Sequence, residues 1–293
     1  MTVEYKVLTE QTISLPQGPR LAVRFAGGEK RPFLLVHGLA SNALMWEPVG
    51  ARLAKLGHEV LSVDLRGHGR SERPESGYST AQASIDLARL IDLMGWGGAR
   101  RPIGCGQSWG GNVVLHLGAH TDALHGVAAV DGGWIQLADR FPTFDECWEQ
   151  LAPPDFGDTS WEDVRRRLSQ QLRGWPDGAL AAVLGNLEES PEGMVRNRLS
   201  RAHHRSIVHS LWADDPADYY PTVTVPSLFL VAGDSDSAPE KAATVAQAAK
   251  ALGGSGVRWY PGAHDDLHLQ HPDQVAADLQ RLLDPQPQTA GAP

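Results

Sequence analysis

The chain has 293 residues, 42% of them hydrophobic and 21% charged, and 26 basic against 35 acidic side chains give a formal charge of −9. That length suits one large α/β domain, or one domain carrying an insertion. The acidic balance argues against nucleic acid or an anionic membrane as a partner.

Met1 to Lys6 lack the charged-then-apolar pattern of a signal peptide, and no apolar run approaches ~18 residues. Two cysteines, Cys105 and Cys147, are too few for a disulfide framework and fit a reducing interior. A soluble, cytoplasmic protein is expected. In chain order, residues 4–26 suggest two or three strands joined by turns, an antiparallel edge. Phe33–His37 reads as a buried strand, followed by a helical pattern from Trp46 to Leu56 and a strand over Glu59–Asp64. Thr80 to Met94 has apolar residues at helical spacing, and Gly95 ends it. Arg101–Cys105 is a short apolar run suited to a buried strand, and a compact apolar helix is expected over Asn112–Ala119. Cys105 reads there as a small core hydrophobe. Gly126–Asp131 is the next strand.

This alternation breaks after Asp131. Residues 133–220 hold no convincing strand but several helix-like stretches (160–172, 178–187 and 195–212), with prolines between them. Five of the nine tryptophans fall here: Trp134, Trp148, Trp161, Trp175 and Trp212. Strand and helix alternate again over Val225–Ala232, Pro239–Leu252, Val257–Tyr260 and Pro272–Leu283. The pattern predicts an α/β fold with a mostly parallel central sheet and helices on both faces. The core spans 1–132 and 221–284, a helical cap is inserted at 133–220, and 285–293 form a flexible tail.

The chemistry concentrates at Gly106-Gln-Ser108-Trp-Gly110, which spells G-x-S-x-G between the predicted strand and helix. Such a serine can sit on a strained strand-to-helix turn that lifts its hydroxyl clear of the sheet, and the flanking residues must then be small. A serine nucleophile needs a base, a group to orient the base, and donors for the oxyanion. For the orienting acid, Asp236 in the loop after Val225–Ala232 is the first candidate and Asp234 the next. Asp131, at the end of an earlier strand, is a third. For the oxyanion, the amides of Leu39 and Trp109 are the natural donors, with Gly38 letting the backbone approach. His37, Arg66 and His68 read as structural. His203, His204 and His209 lack a cysteine or carboxylate at ligand spacing, so no metal is expected. Trp109 and some of Trp134, Trp148, Trp161 and Trp212 are candidates to line an apolar cleft.

Taken together, Val36-His37-Gly38, Asp64-x-Arg66-Gly-His68-Gly-x-Ser71, the Ser108 motif and the histidine-rich stretch near the end resemble the α/β-hydrolase superfamily over nearly the whole chain. The resemblance implies a serine hydrolase of the esterase or lactonase type, without metal or organic cofactor and with a cap over the site. Ser108 disfavours the branches that use an aspartate nucleophile. The sequence departs from the family at the base. After the last strand the family carries Pro-Gly-Ala-x-His, whereas here Pro261-Gly-Ala-His264-Asp265-Asp266 puts Asp265 at the histidine's position. His264 comes one residue early and His268 three late, so the base is His264 after a loop adjustment, His268, or missing. Asp265 could serve only if burial or a nearby carboxylate raised its pKa.

The favoured reading is hydrolysis of a carboxylic ester or lactone of an apolar small molecule, with Ser108, His264 and Asp236 as triad. The alternatives are an impaired hydrolase, a ligand binder, or a cofactor-free lyase or cyclase. A proline-iminopeptidase-like aminopeptidase would need Asp214-Asp215 or Glu188-Glu189 to hold the substrate ammonium.

Overall fold

The computed structural model describes residues 8–283. The expected tail, 285–293, and residues 4–7 of the predicted first strands lie outside the described residues. Eight strands form one sheet in the order β1-β2-β4-β3-β5-β6-β9-β10. β1 (Thr9–Ser14) pairs antiparallel with β2 (Arg20–Ala26), and β2 pairs antiparallel with β4 (His58–Val63). From β4 onward the sheet is parallel, through β3 (Lys30–Val36), β5 (Ile103–Gln107), β6 (Gly126–Val130), β9 (Ser227–Ala232) and β10 (Gly256–Tyr260).

The central strands are buried along their length, as sheets covered on both faces must be. Their alternating residues divide between two cores. Phe33 and Leu35, with Ile103, Cys105, Ala128 and Val130, face α1 (Glu47–Lys55) and α10 (Pro272–Leu279). Leu34, Val36, Val127 and Ala129 face α2 (Thr80–Leu93) and α3 (Trp109–His120). Each fully buried Leu, Val or Phe stabilises the fold by about 1.5–3 kcal/mol relative to its exposed state. β5 carries glycine on its α3 face for a steric reason: a Cβ on Gly106 would collide with the Gly110 backbone. That contact brings α3 down onto the sheet immediately after Ser108.

Between β6 and β9 the chain forms α4 (Phe144–Leu151), α5 (Trp161–Gln171), α6 (Ala179–Leu184) and α7 (Arg201–Ala213). Thr143 and Glu146 close a capping box on α4, and the Ser160 and Ser200 side chains cap α5 and α7. The expectation of no strand here is corrected by an antiparallel hairpin of β7 (Leu187–Glu189) and β8 (Val195–Asn197). Three-residue strands around a Pro191-Glu-Gly193 turn are too short to show an alternating pattern, and they overlap what reads as the end of one helix and the start of another. The segment is tied to the sheet side by Asn42 Nδ2, which donates to the Ala182 carbonyl at 2.8 Å, and by the Thr80 amide, which donates to Ser210 Oγ at 3.0 Å. After β9 come α8 (Pro239–Ala251) and α9 (Leu267–Gln270). Among the described residues no helix is long and apolar enough to cross a membrane.

Candidate active site

Ser108 stands between β5 and α3 at φ 50° and ψ −122°, a conformation that costs a non-glycine residue of order 1–3 kcal/mol. Its amide donates to the Val130 carbonyl at 2.9 Å and its carbonyl accepts from the Gly111 amide at 2.8 Å, so the surrounding backbone holds the turn. Two loops crowd it. A Cβ on Gly132 would collide with the Ser108 carbonyl, and one on Gly38 would stand 3.1 Å from Ser108 Cβ. Of four non-glycine residues with positive φ among those described, three lie on loops at this edge of the sheet: Ala40, Ser108 and Asp131.

The loop bearing Gly38 and Leu39 is held from behind by two histidines. His37 Nδ1 donates to the Gly38 carbonyl at 2.7 Å, and its Nε2 accepts from the Leu65 amide at 3.0 Å. His68 Nδ1 donates to the Arg66 carbonyl at 2.9 Å, and its Nε2 accepts the Ala40 amide at 3.2 Å. Burial keeps both neutral: it lowers the His37 pKa to about 4 and that of His68 well below the usual imidazole value. Arg66 pairs with the buried Asp86 through two hydrogen bonds of 2.7 and 2.8 Å. Asp64 is saturated by the Ala43 and Arg70 amides at 2.7 and 2.8 Å.

On the other side of the serine, Gln107 Nε2 donates to the Asp265 carbonyl at 3.4 Å, which sets the 264–266 loop beside the end of β5. Asp131 Oδ1 accepts from the Ala232 amide at 3.0 Å and stands 2.7 Å from Lys241 Nζ. Burial raises the Asp131 pKa and Lys241 opposes it, while the Asp265 charge raises it further. Burial, then the Asp265 charge, pushes the Asp266 carboxyl up to about 6; His264 opposes and Asp131 adds. The Asp265 charge thus reaches both Asp131 and Asp266.

The expected residues separate accordingly. Asp236 is exposed; its amide donates to Asp234 Oδ1, and among the described residues no contact joins it to the 264–266 loop. Asp131, the third candidate, is instead close enough to feel the Asp265 charge. His264 is exposed, its amide donates to Gln270 Oε1, and its ring lies 5.8 Å from Trp175. His268 is buried against Trp46 at 4.5 Å, and neither of its ring nitrogens has a partner. Among the described residues no histidine is hydrogen-bonded to the Ser108 hydroxyl. Trp109 is not a cleft residue: its ring is fully buried in the core and Nε1 donates to Thr80 Oγ1 at 3.2 Å. Trp134 is half-buried against Phe229.

Glu188 is paired with Arg73, Asp214 accepts from Ser210 Oγ, and Asp215 caps the Ala217 amide, so these acids already have structural partners. Among the described residues no group of three or more His, Cys, Asp or Glu could hold a metal, and His203 stacks on Tyr78. Sequence reasoning missed Gln107, Lys241 and Trp175. Gln107 occupies a free position of the serine motif, and nothing in the sequence marks Lys241 or Trp175 as neighbours of the site.

With a serine on a strained strand–helix turn and a glycine loop on either side, the sequence matches the alpha/beta hydrolase family over residues 33–278. The chain belongs to that family. Within the family, it is 31% identical over 193 residues to epoxide hydrolase A of Mycobacterium tuberculosis, covering 61% of this chain and 59% of that one. It is 36% identical to the 2-(acetamidomethylene)succinate hydrolase of Mesorhizobium japonicum over 33% of this chain and 34% of the relative. The chain thus spans less than two thirds of both of these relatives. A solved E-2-(acetamidomethylene)succinate hydrolase superposes with a TM-score of 0.77 at 22% identity, covering 94% of this chain and 99% of that one. The enol-lactonase from Burkholderia xenovorans LB400 superposes at 0.65, also at 22% identity, over 93% and 99% of the two chains. For this hydrolase-family chain, those likenesses speak to the fold.

Proposed function

We propose that the chain hydrolyses a carboxylic ester or lactone of an apolar small molecule through an acyl-enzyme on Ser108. The observation that carries this reading is the strained backbone of Ser108 at the strand-to-helix turn, the conformation that projects a nucleophilic serine from the sheet. Ser108 Oγ attacks the carbonyl carbon, and the developing oxyanion is met by the Leu39 and Trp109 amides. The hydroxyl proton passes to the 264–266 loop, where Asp265 stands in the histidine's stead, and returns to the departing alkoxide. Water then releases the acid by the same route. Asp131 is the supporting carboxylate, backed by Lys241. Residues 133–220 act as the cap, with Trp134 on its floor. A carboxylate accepts a proton at neutral pH less readily than imidazole does, so slow turnover is expected.

Incubation with a fluorophosphonate probe, followed by intact and peptide mass spectrometry, tests this. A single adduct on Ser108, absent from Ser108→Ala, is expected. A second reading, ligand binding without acyl transfer, is favoured by the lack of a histidine partner for Ser108. Folded wild-type chain that takes up no probe would overturn the first, and saturable binding of an apolar ester by that chain without its turnover would establish the second.

A further inference from the structure

A cavity of about 380 Å³ lies between β2, the 42–44 loop, the loop after β4 and the α6-to-β8 stretch, within the size range of small-ligand sites. Neither Ser108 nor residues 264–266 line it. Three arginines do, in a chain whose formal charge is −9: Arg24, Arg70 and Arg198. Two are already neutralised, Arg24 by Glu47 at 2.5 Å and Arg70 by Glu10 at 2.6 Å. Arg198 is held differently. Its Nε donates to the Leu187 carbonyl at 3.0 Å and its Nη1 to the Gly69 carbonyl at 3.2 Å. Among the described residues no salt bridge joins it to a carboxylate. The two carbonyls fix the guanidinium in orientation; the Asp64 charge reaches it across the cavity without a salt bridge, and neither of these two hydrogen bonds uses Nη2.

The rest of the wall narrows the ligand's chemistry. Asp64 cannot move to Arg198 without giving up its two amide donors, and with Glu10 it opposes a second negative charge in the cavity. Trp161, Leu184 and Leu187 supply apolar surface to the same cavity. We propose that this cavity binds an apolar monocarboxylate, its carboxylate on Arg198 and its hydrocarbon part against Trp161, Leu184 and Leu187. A guanidinium accepts a carboxylate through two parallel N–H donors, and its weak hydration suits a partly buried site. This site rests on the cavity and not on the reaction at Ser108.

The test is calorimetric titration of the full chain with benzoate at fixed ionic strength, beside benzamide and phenyl phosphate. Saturable benzoate binding is expected, with benzamide and phenyl phosphate at least tenfold weaker. Arg198→Gln should weaken benzoate at least tenfold. Because that change also removes two bonds to backbone carbonyls, Leu184→Trp provides an independent check. It fills the cavity with the guanidinium intact and should abolish binding while the chain stays folded. Benzoate that binds no better than benzamide, or equally to Leu184→Trp and wild type, overturns the site.

Discussion

At the scale of single residues, the site is written in backbone strain. Ser108 and Asp131 follow adjacent parallel strands, and both adopt positive φ where glycine would be easier. Such conformations persist only when their surroundings hold them, and here glycine supplies the room. Gly132→Ala should therefore act through Ser108. The added Cβ meets the Ser108 carbonyl, and overpacking of this kind costs about 2 kcal/mol. Differential scanning fluorimetry should find Tm lower by about 4–8 °C, and fluorophosphonate uptake should fall with it. An unchanged Tm would mean the elbow is looser than its contacts indicate.

The residue scale also divides what the sequence reveals from what it hides. The serine motif is legible because its glycines answer a local steric need. The acid is not. Asp131 and Asp236 both follow strands, and only the pairing of β6 with β9, with the Asp131 amide donating to the Leu230 carbonyl, sets Asp131 against the end of β9, where its carboxylate meets the Ala232 amide. Trp109 adjoins the nucleophile in sequence, yet as the first residue of α3 it turns into the core.

Among the elements, the parallel sheet is readable because buried strands of five to seven residues alternate with helices of the right period. The β7–β8 hairpin is not, since its pairing is settled by tertiary contacts. α9 shows how an element can hold a liability. It brings His268 into the core beside Trp46, where burial, with His37 adding, lowers its pKa to about 3. An unfolded histidine binds a proton below about pH 6.5 and this one does not until about pH 3, so it removes stability as pH falls through that window. Between pH 7 and pH 5 that amounts to about 2 kcal/mol. The raised carboxyl of Asp266 acts in the opposite sense between about pH 6 and its unfolded value near 4, so the difference between variants is the informative quantity. His268→Leu should raise Tm, and its Tm should fall less than that of wild type between pH 7 and pH 5. Parallel losses would show that His268 does not set the acid response.

Over the whole molecule, an acidic chain of the alpha/beta hydrolase family sets the 264–266 loop beside the end of the strand that carries its serine turn. The sheet and the serine turn are those of the alpha/beta hydrolase fold. The direct comparison is the turnover of a chromogenic butyrate ester by wild type, Asp265→His, and Asp265→His combined with Ser108→Ala. If Asp265 occupies the base position, Asp265→His should hydrolyse the ester at least tenfold faster than wild type, and the double variant should be inactive. Turnover in Asp265→His no higher than in wild type, or surviving without Ser108, would contradict it.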